Sequence, residues 1–287
     1  MKPAVLAQRL APLISVLRCP RCRCTFTLSE QSLICENRHC YDLSRRGYVN
    51  FAPSHDQAAE KYDAELFDSR RLVFEHGFYQ PVIEAIARWL PDAPSIVLDA
   101  GCGEGYYARL LAQQFPQAHF VGLDISRDAI TAAARAQSRA NWLVADLKRL
   151  PFADASADVL LDVLTPADYA EFSRVLKPEG RLIKVVPGSA YLCEVRKAVA
   201  PWLRSGDTYD NTRVIEHLKE HADLCDECEV RVTRPLSEDE SRAFLRMTPM
   251  TFSVPESVLE TLALSEITIH MHVLNCRMKG AAGSRNG

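Results

Sequence analysis

A chain of 287 residues exceeds one average domain, and 47% hydrophobic with 25% charged residues is the make-up of a soluble globular protein, not of a fibrous, disordered or membrane-embedded one. The net charge of −3 excludes binding of nucleic acid by overall charge alone, yet residues 1 to 50 hold eight basic against three acidic side chains, a local net of +5. No apolar run approaches a membrane span. Arg9 and Pro12 break the apolar N-terminus where a signal peptide would need continuity, so the ten cysteines predict a reducing, cytoplasmic setting in which thiols bind metal or pack.

Residues 1 to 17 read as an N-terminal extension, and 18 to 52 as a small zinc-binding domain. Cys19-Pro-Arg-Cys22 is followed after twelve residues by Cys35, with three residues between that and His39. Two knuckles of this spacing bring four ligands tetrahedrally around zinc, and four protein ligands leave no open position, so the metal is structural. Cys24 could replace Cys22, and Cys40 could replace His39. The alternating Thr25-Phe-Thr-Leu28 and Ser32-Leu-Ile34 predict a β-rich unit too small to fold without such a staple. Residues 53 to 92 connect the modules: a polar linker at 53 to 59, then apolar spacing over 62 to 90 that predicts two helices broken near Gly77 and Pro81.

From residue 93 to 287 a second domain is expected. Ser95-Ile-Val-Leu-Asp-Ala-Gly-Cys-Gly-Glu-Gly-Tyr-Tyr107 reads as a strand, a glycine turn and a helix, where the backbone can approach a ligand closely at a helix N-terminus. A dinucleotide fingerprint would need a glycine where Tyr106 stands. Asp99 followed by Gly101, Gly103 and Gly105 resembles instead motif I of the Rossmann-like class I methyltransferases, which implies S-adenosylmethionine. That resemblance places Asp99, the three glycines, Tyr107 and Ala108 at the cofactor. Strands at 95–99, 119–124, 141–145, 157–163 and 181–186, with helices from Tyr106, Ser126, Pro166 and Ala190, predict a parallel sheet with its ligand at the carboxyl ends of the strands. Asp124 ends the second strand where an acid accepts from both ribose hydroxyls, or caps the next helix. Asp146 and the N–H of Leu147 stand where this class contacts adenine.

Strand four ends in Asp162-Val-Leu-Thr-Pro-Ala-Asp168, where methyltransferases place the accepting atom. The motif typical of amino-group acceptors is absent, which fits a ring nitrogen. Asp168 and Asp162 are the candidate bases. Lys177-Pro-Glu-Gly180 reads as a turn, residues 200 to 235 as an insertion over the cleft, and 266 to 276 as a final antiparallel strand. Cys225-Asp-Glu-Cys228 has no second pair, and its acids disfavour a reactive thiolate. The small polar tail after residue 278 is expected to fray.

Taken together, Cys-Pro-x-Cys, Cys-x-x-Arg-His, Gly47-Tyr-Val-Asn50, Gly101-Cys-Gly-Glu-Gly-Tyr-Tyr107 and Met247-Thr-Pro249 resemble the bacterial 23S rRNA guanine-N1 methyltransferases over nearly the whole chain. The resemblance implies a mostly parallel seven-stranded methyltransferase sheet behind a zinc module that docks 23S rRNA. It implies methylation of a guanine in a hairpin near the macrolide-binding exit tunnel, by a homodimer, with Tyr79 and Tyr191 lining the cofactor site. Lys61-Tyr-Asp-Ala-Glu-Leu-Phe-Asp-Ser-Arg-Arg71 looks like the Gram-positive branch, some of whose members influence tylosin-class resistance. A small-molecule methyltransferase and a non-catalytic, S-adenosylmethionine-sensing RNA-binding protein are the alternatives.

Overall fold

The structure, a computed structural model, describes residues 2–52, 64–93, 95–136, 138–203 and 209–280. The linker expected at 53 to 59 and the end of the tail lie outside these residues. Helix α1 (Pro3–Leu10) carries proline in its first turn, where a missing N–H is no loss. The strands β1 (Phe26–Leu28), β2 (Ser32–Cys35) and β3 (Cys40–Asp42) form a small antiparallel sheet, followed by β4 (Val49–Asn50). Helices α2 (Ala64–Glu75) and α3 (Gln80–Ala87) lead into β5 (Ile96–Ala100), α4 (Tyr106–Gln114), β6 (His119–Asp124), α5 (Arg127–Arg135), β7 (Asn141–Val144), β8 (Ala157–Val163), α6 (Tyr169–Val175) and β9 (Leu176–Pro187). The remainder supplies α7 (Cys193–Ala198), α8 (Thr212–His221), β10 (Ala222–Pro235), α9 (Glu238–Met247), α10 (Glu256–Leu259) and β11 (Glu266–Met278).

The large sheet has the order β10-β11-β9-β8-β5-β6-β7-β4, parallel from β9 through β4 and antiparallel at β10 and β11. It has eight strands where seven were expected, because β4 of the N-terminal unit pairs with β7 and covers that edge. The insertion expected over 200 to 235 is corrected in its second part. Ala222–Pro235 is the opposite edge strand, paired along its length with β11. Two helix starts also shift: α6 begins after Asp168 caps it, not at Pro166, and α7 begins at Cys193, not Ala190. The turn at Lys177 is a looped-out segment inside β9, since Ala157 pairs with Leu176 and Val159 with Arg181.

Alternation along the strands sorts the core into two layers. Val97, Phe120, Trp142, Val144, Leu161 and Ile183 face α3, α4, α5 and α9. Leu98, Val121, Leu123, Leu143, Leu160 and Leu182 face the other way, where they share one buried cluster with Leu6, Leu10, Leu13 and Leu17. The N-terminal unit is thus one of the two covers of the sheet.

Polar joints reinforce that cover. The N–H of Arg18 donates to the Pro151 carbonyl at 2.9 Å, and that of Ala153 to Val16 at 2.8 Å. Arg23 reaches across to the Leu150 carbonyl at 2.9 Å and to Glu171 at 3.1 Å. Glu171 also accepts from the Leu150 N–H and twice from Arg174, all at 2.8 Å, so one carboxylate ties the knuckle, the 147–153 loop and α6 together. The Glu171→Ala variant strands these donors and is expected to lose about 1–3 kcal/mol of stability. Urea unfolding measures this, and a midpoint equal to wild type refutes the joint.

Candidate active site and metal centre

The metal-ligating side chains come from two turns, each closed by the backbone N–H of an arginine. The Arg23 N–H closes the first on the Cys19 carbonyl and the Arg38 N–H closes the second on the Cys35 carbonyl, each at 2.8 Å. Both arginines take the left-handed conformation, with φ of 63° and 60°, which turns the chain sharply enough to aim the ligands inward. Cys22 Sγ lies 3.7 Å from Cys35 Sγ, and His39 Nδ1 lies 3.5, 3.4 and 3.4 Å from the sulfurs of Cys19, Cys22 and Cys35. A tetrahedron with Zn–S near 2.3 Å and Zn–N near 2.0 Å has edges of about 3.5–3.7 Å, so the group fits zinc. Two further contacts favour thiolates. The His39 N–H donates to Cys35 Sγ at 3.3 Å, and the Tyr41 hydroxyl lies 3.6 Å from Cys19 Sγ. Cys24 instead reaches the Cys22 carbonyl and receives a bond from Asn37, while Cys40 is exposed and points toward Asp42.

A cleft of about 1800 Å³ opens at the carboxyl ends of the parallel strands, beside the turn after β5 where the strand order reverses. This volume exceeds the common range of a single-ligand pocket, about 300–1,000 Å³, and leaves room for two partners. Gly101 and Gly103 line it, in left-handed conformations with φ of 72° and 55°. A Cβ on Gly103 would meet nothing within 4 Å, so the turn is open to the cleft exactly where a ligand must approach the backbone.

Gly105 and Ala108, expected at the cofactor, are not on the cleft wall. A Cβ on Gly105 would lie 2.2 Å from the Trp142 ring, so this glycine makes room for the indole. Ala108 is buried, and its N–H donates to Asp99 at 3.3 Å.

Asp99 lines the cleft and is 1% exposed; burial pushes its carboxyl up to about 7, with Asp124 and Asp162 adding to the rise. Asp124 accepts from the Gly103 N–H at 2.9 Å and from the Ser126 N–H at 2.8 Å, which anchors the glycine turn to the end of β6. Burial raises its pKa as well. Ser126, not Asp124, caps α5. Asp146 accepts from the Lys148 N–H at 2.9 Å, and Asp146 and Leu147 both face the cleft. The hydroxyls of Tyr79 and Tyr191, both lining the cleft, meet at 2.8 Å. Tyr191 sits on a loop held by Arg196, which donates to the Ser189 and Tyr191 carbonyls, and by His270, which accepts from the Ala190 N–H. Tyr107 lines the cleft with its hydroxyl unpartnered, as is Glu104 Oε1, two buried polar atoms without a protein partner. The open glycine, these orphaned atoms and the row of acids fit a cofactor carrying positive charge and hydroxyls.

Of the two candidate bases, Asp162 is corrected. It is 0% exposed, away from the cleft wall, and paired at 2.5 Å with Lys184 of the neighbouring strand. Asp168 does line the cleft, and one of its oxygens caps α6 by accepting from the Glu171 N–H at 3.0 Å. Sequence reasoning missed Arg70, Glu104, Ile125 and Lys184 in the cleft. Ile125 directly follows Asp124 and Glu104 lies inside the glycine turn, so spacing points to both, whereas Arg70 and Lys184 are far from either motif. Leu203, Tyr209, Arg213, Val214 and His217 also line the cleft, the part of the expected insertion that does reach it.

A family model described as "Methyltransferase domain" matches residues 97–180, and one described as "RlmA, N-terminal" matches residues 17–59. A Bacillus subtilis protein provisionally named as a 23S rRNA (guanine-N(1)-)-methyltransferase is 38% identical over 277 residues, 91% of this chain and 96% of its own. The 23S rRNA (guanine(748)-N(1))-methyltransferase of Streptomyces fradiae is 30% identical over 92% of this chain and 97% of its own. Among solved structures, a chain from the Haloferax volcanii complex of the Trm112 methyltransferase activator aligns with a TM-score of 0.51 at 20% identity, covering 76% of this chain and 99% of its own, a likeness of fold.

Removal of one knuckle ligand tests the metal centre. Cys19→Ser and Cys35→Ser are expected to lose zinc by elemental analysis, whereas Cys40→Ser keeps about one zinc per chain. Zinc loss in Cys40→Ser overturns the assignment of His39.

Proposed function

The chain belongs to the 23S rRNA (guanine-N1)-methyltransferase family, and from that membership we propose how its own residues divide the work. It is an S-adenosylmethionine-dependent enzyme that methylates N1 of a guanine in 23S rRNA, and it carries structural zinc. The observation that carries the division of work is a basic strip from the zinc knuckles to the cleft. Arg149 donates to the Arg21 carbonyl at 3.0 Å, and its neighbour Lys148 stands on the cleft wall. Arg21, Arg38, Arg45, Arg46, Lys148 and Arg149 are exposed, a surface suited to phosphates that positions an RNA hairpin before any base is read.

In this reading Cys19, Cys22, Cys35 and His39 hold the zinc. Asp124 takes the ribose hydroxyls, Asp146 and the Leu147 N–H take adenine, and Asp99, Gly101, Gly103 and Tyr107 surround the amino-acid end, with Tyr79 and Tyr191 above it. Bound there, S-adenosylmethionine supplies a methyl group on a positively charged sulfur, open to displacement by a ring nitrogen. Guanine N1 carries a proton at neutral pH, and Asp168 is the cleft carboxylate that takes it. The target is the nucleotide named for the Streptomyces fradiae relative, in a hairpin near the macrolide-binding exit tunnel. The enzyme works in the cytoplasm as a homodimer whose two clefts share one RNA surface. No helix among the described residues is long and apolar enough to cross a membrane.

Tritiated methyl transfer to 23S rRNA from an unmodified strain tests this function, because N1 methylation also stops primer extension at the modified guanine. Asp168→Asn is expected to fall at least about a hundredfold in single turnover, with partial recovery at high pH. A near wild-type rate removes Asp168 as the base. Wild-type enzyme that binds cofactor yet leaves the rRNA unlabelled refutes the substrate.

Cofactor affinity is expected to depend on pH through the acids that burial raises. Asp99 and Asp124 attract a cationic ligand only when ionised, so affinity is full above the Asp99 value of about 7 and weakens as pH falls through it. Calorimetry at pH 8 and 6 measures this. Asp124→Ala is expected to bind about 10- to 100-fold more weakly at pH 8, with RNA affinity unchanged.

A further inference from the structure

One turn of the cleft wall is built against the preferences of its own residues. Leu164, directly after β8, has a φ of 57°, the left-handed region that costs a γ-branched side chain strain. The same side chain is 42% exposed, on the wall of the cleft. Glycine would take this backbone without strain, and a polar residue would suit the exposure. The fold therefore gives no reason for leucine here.

The surroundings over-determine the turn. The Leu164 N–H donates to the Val185 carbonyl at 3.1 Å. Thr165 donates through its hydroxyl to the Gly101 carbonyl at 3.3 Å, and its own carbonyl accepts from Lys184 Nζ at 3.4 Å. Asp162 fixes that ammonium from below at 2.5 Å. Gly101 completes the lock, since a Cβ there would fall 2.4 Å from Thr165 Oγ1. Pro166 then sets the next φ. A buried ion pair, a threonine and a glycine all act on one exposed leucine.

A second observation points to what meets it. Of the six large apolar side chains that are exposed among the described residues, Ile125, Leu164 and Val214 line this cleft. Ile125 adjoins Asp124 at the cofactor end. Leu164 directly follows β8 and shares the cleft wall with Asp168, the proposed base.

Building on the proposed rRNA methylation, we infer that Leu164 is the apolar platform against which the flipped-out guanine lies, held in a strained backbone so that its isobutyl group meets the face of the base. Enzymes that work on a base outside its stack hold it between aromatic or apolar side chains. The Lys184–Asp162 pair acts at one remove, as the support of the turn.

The test separates this from a structural role by the sign of the stability change. Leu164→Gly removes both the strain and the platform. It is expected to melt no lower than wild type, to bind S-adenosylmethionine within about twofold of wild type, and to methylate saturating 23S rRNA in single turnover at least about tenfold more slowly. Leu164→Phe restores a face for the base and is expected to recover most of that rate. Wild-type turnover by a stable Leu164→Gly overturns the inference, and so does a lowered melting temperature with activity lost in proportion. Wild-type enzyme run on the same rRNA distinguishes the two readings. An inactive wild type overturns the substrate assignment, whereas an active wild type with an unimpaired Leu164→Gly overturns the platform alone.

Discussion

A parallel sheet sends alternate side chains to both faces, and both must be covered. Helices after β5 and β6 cover one face; on the other, Leu98, Leu123 and Leu143 share a cluster with Leu6, Leu10, Leu13 and Leu17 of the N-terminal unit. Each such leucine is worth about 1.5–3 kcal/mol on burial. The zinc knuckles, the basic strip and the cleft keep their relation because the N-terminal unit completes the core of the catalytic sheet. Glu171 and Arg23 add direction to a contact whose strength is apolar.

The charges divide between inside and outside. Asp99, Glu104, Asp124 and Asp162 gather around the glycine turn, and burial raises the carboxyl of each. Lys184 and Arg70 pair with Asp162 and Glu104, which leaves Asp99 and Asp124 for a cation. Arg21, Arg38, Arg45, Arg46 and Arg149 are exposed, on the zinc unit and the loop bonded to it. In the proposed reading this arrangement draws a phosphate backbone to the rim and a positively charged cofactor to the floor.

Much of this was legible in the sequence where a short-range pattern carries the information. Cys19, Cys22, Cys35 and His39 announce themselves by spacing, and the glycine turn by its place between a strand and a helix. What was hidden depends on residues far apart. Asp162 looks like a base until Lys184, 22 positions on, is found beside it in the next strand. Gly105 looks like a ligand glycine until Trp142 is found against it. β10 reads as an insertion in the sequence because an edge strand can stay polar; Asp223, Asp226, Glu227 and Glu229 break the apolar alternation that marks a strand. β4 is only two residues long, below what any periodicity can show.

The joint between the N-terminal unit and the sheet has a consequence for target choice. Because β4 is hydrogen-bonded to β7, and Arg23 and Arg18 are bonded to the loop that carries Lys148, the distance from the knuckles to the glycine turn is set by the fold and not by a tether. The molecule is a ruler. If, as proposed, RNA grips the knuckles, only nucleotides at one fixed offset from the grip would reach the cleft, and chemically identical guanines would be told apart by reach, without reading the letters around them.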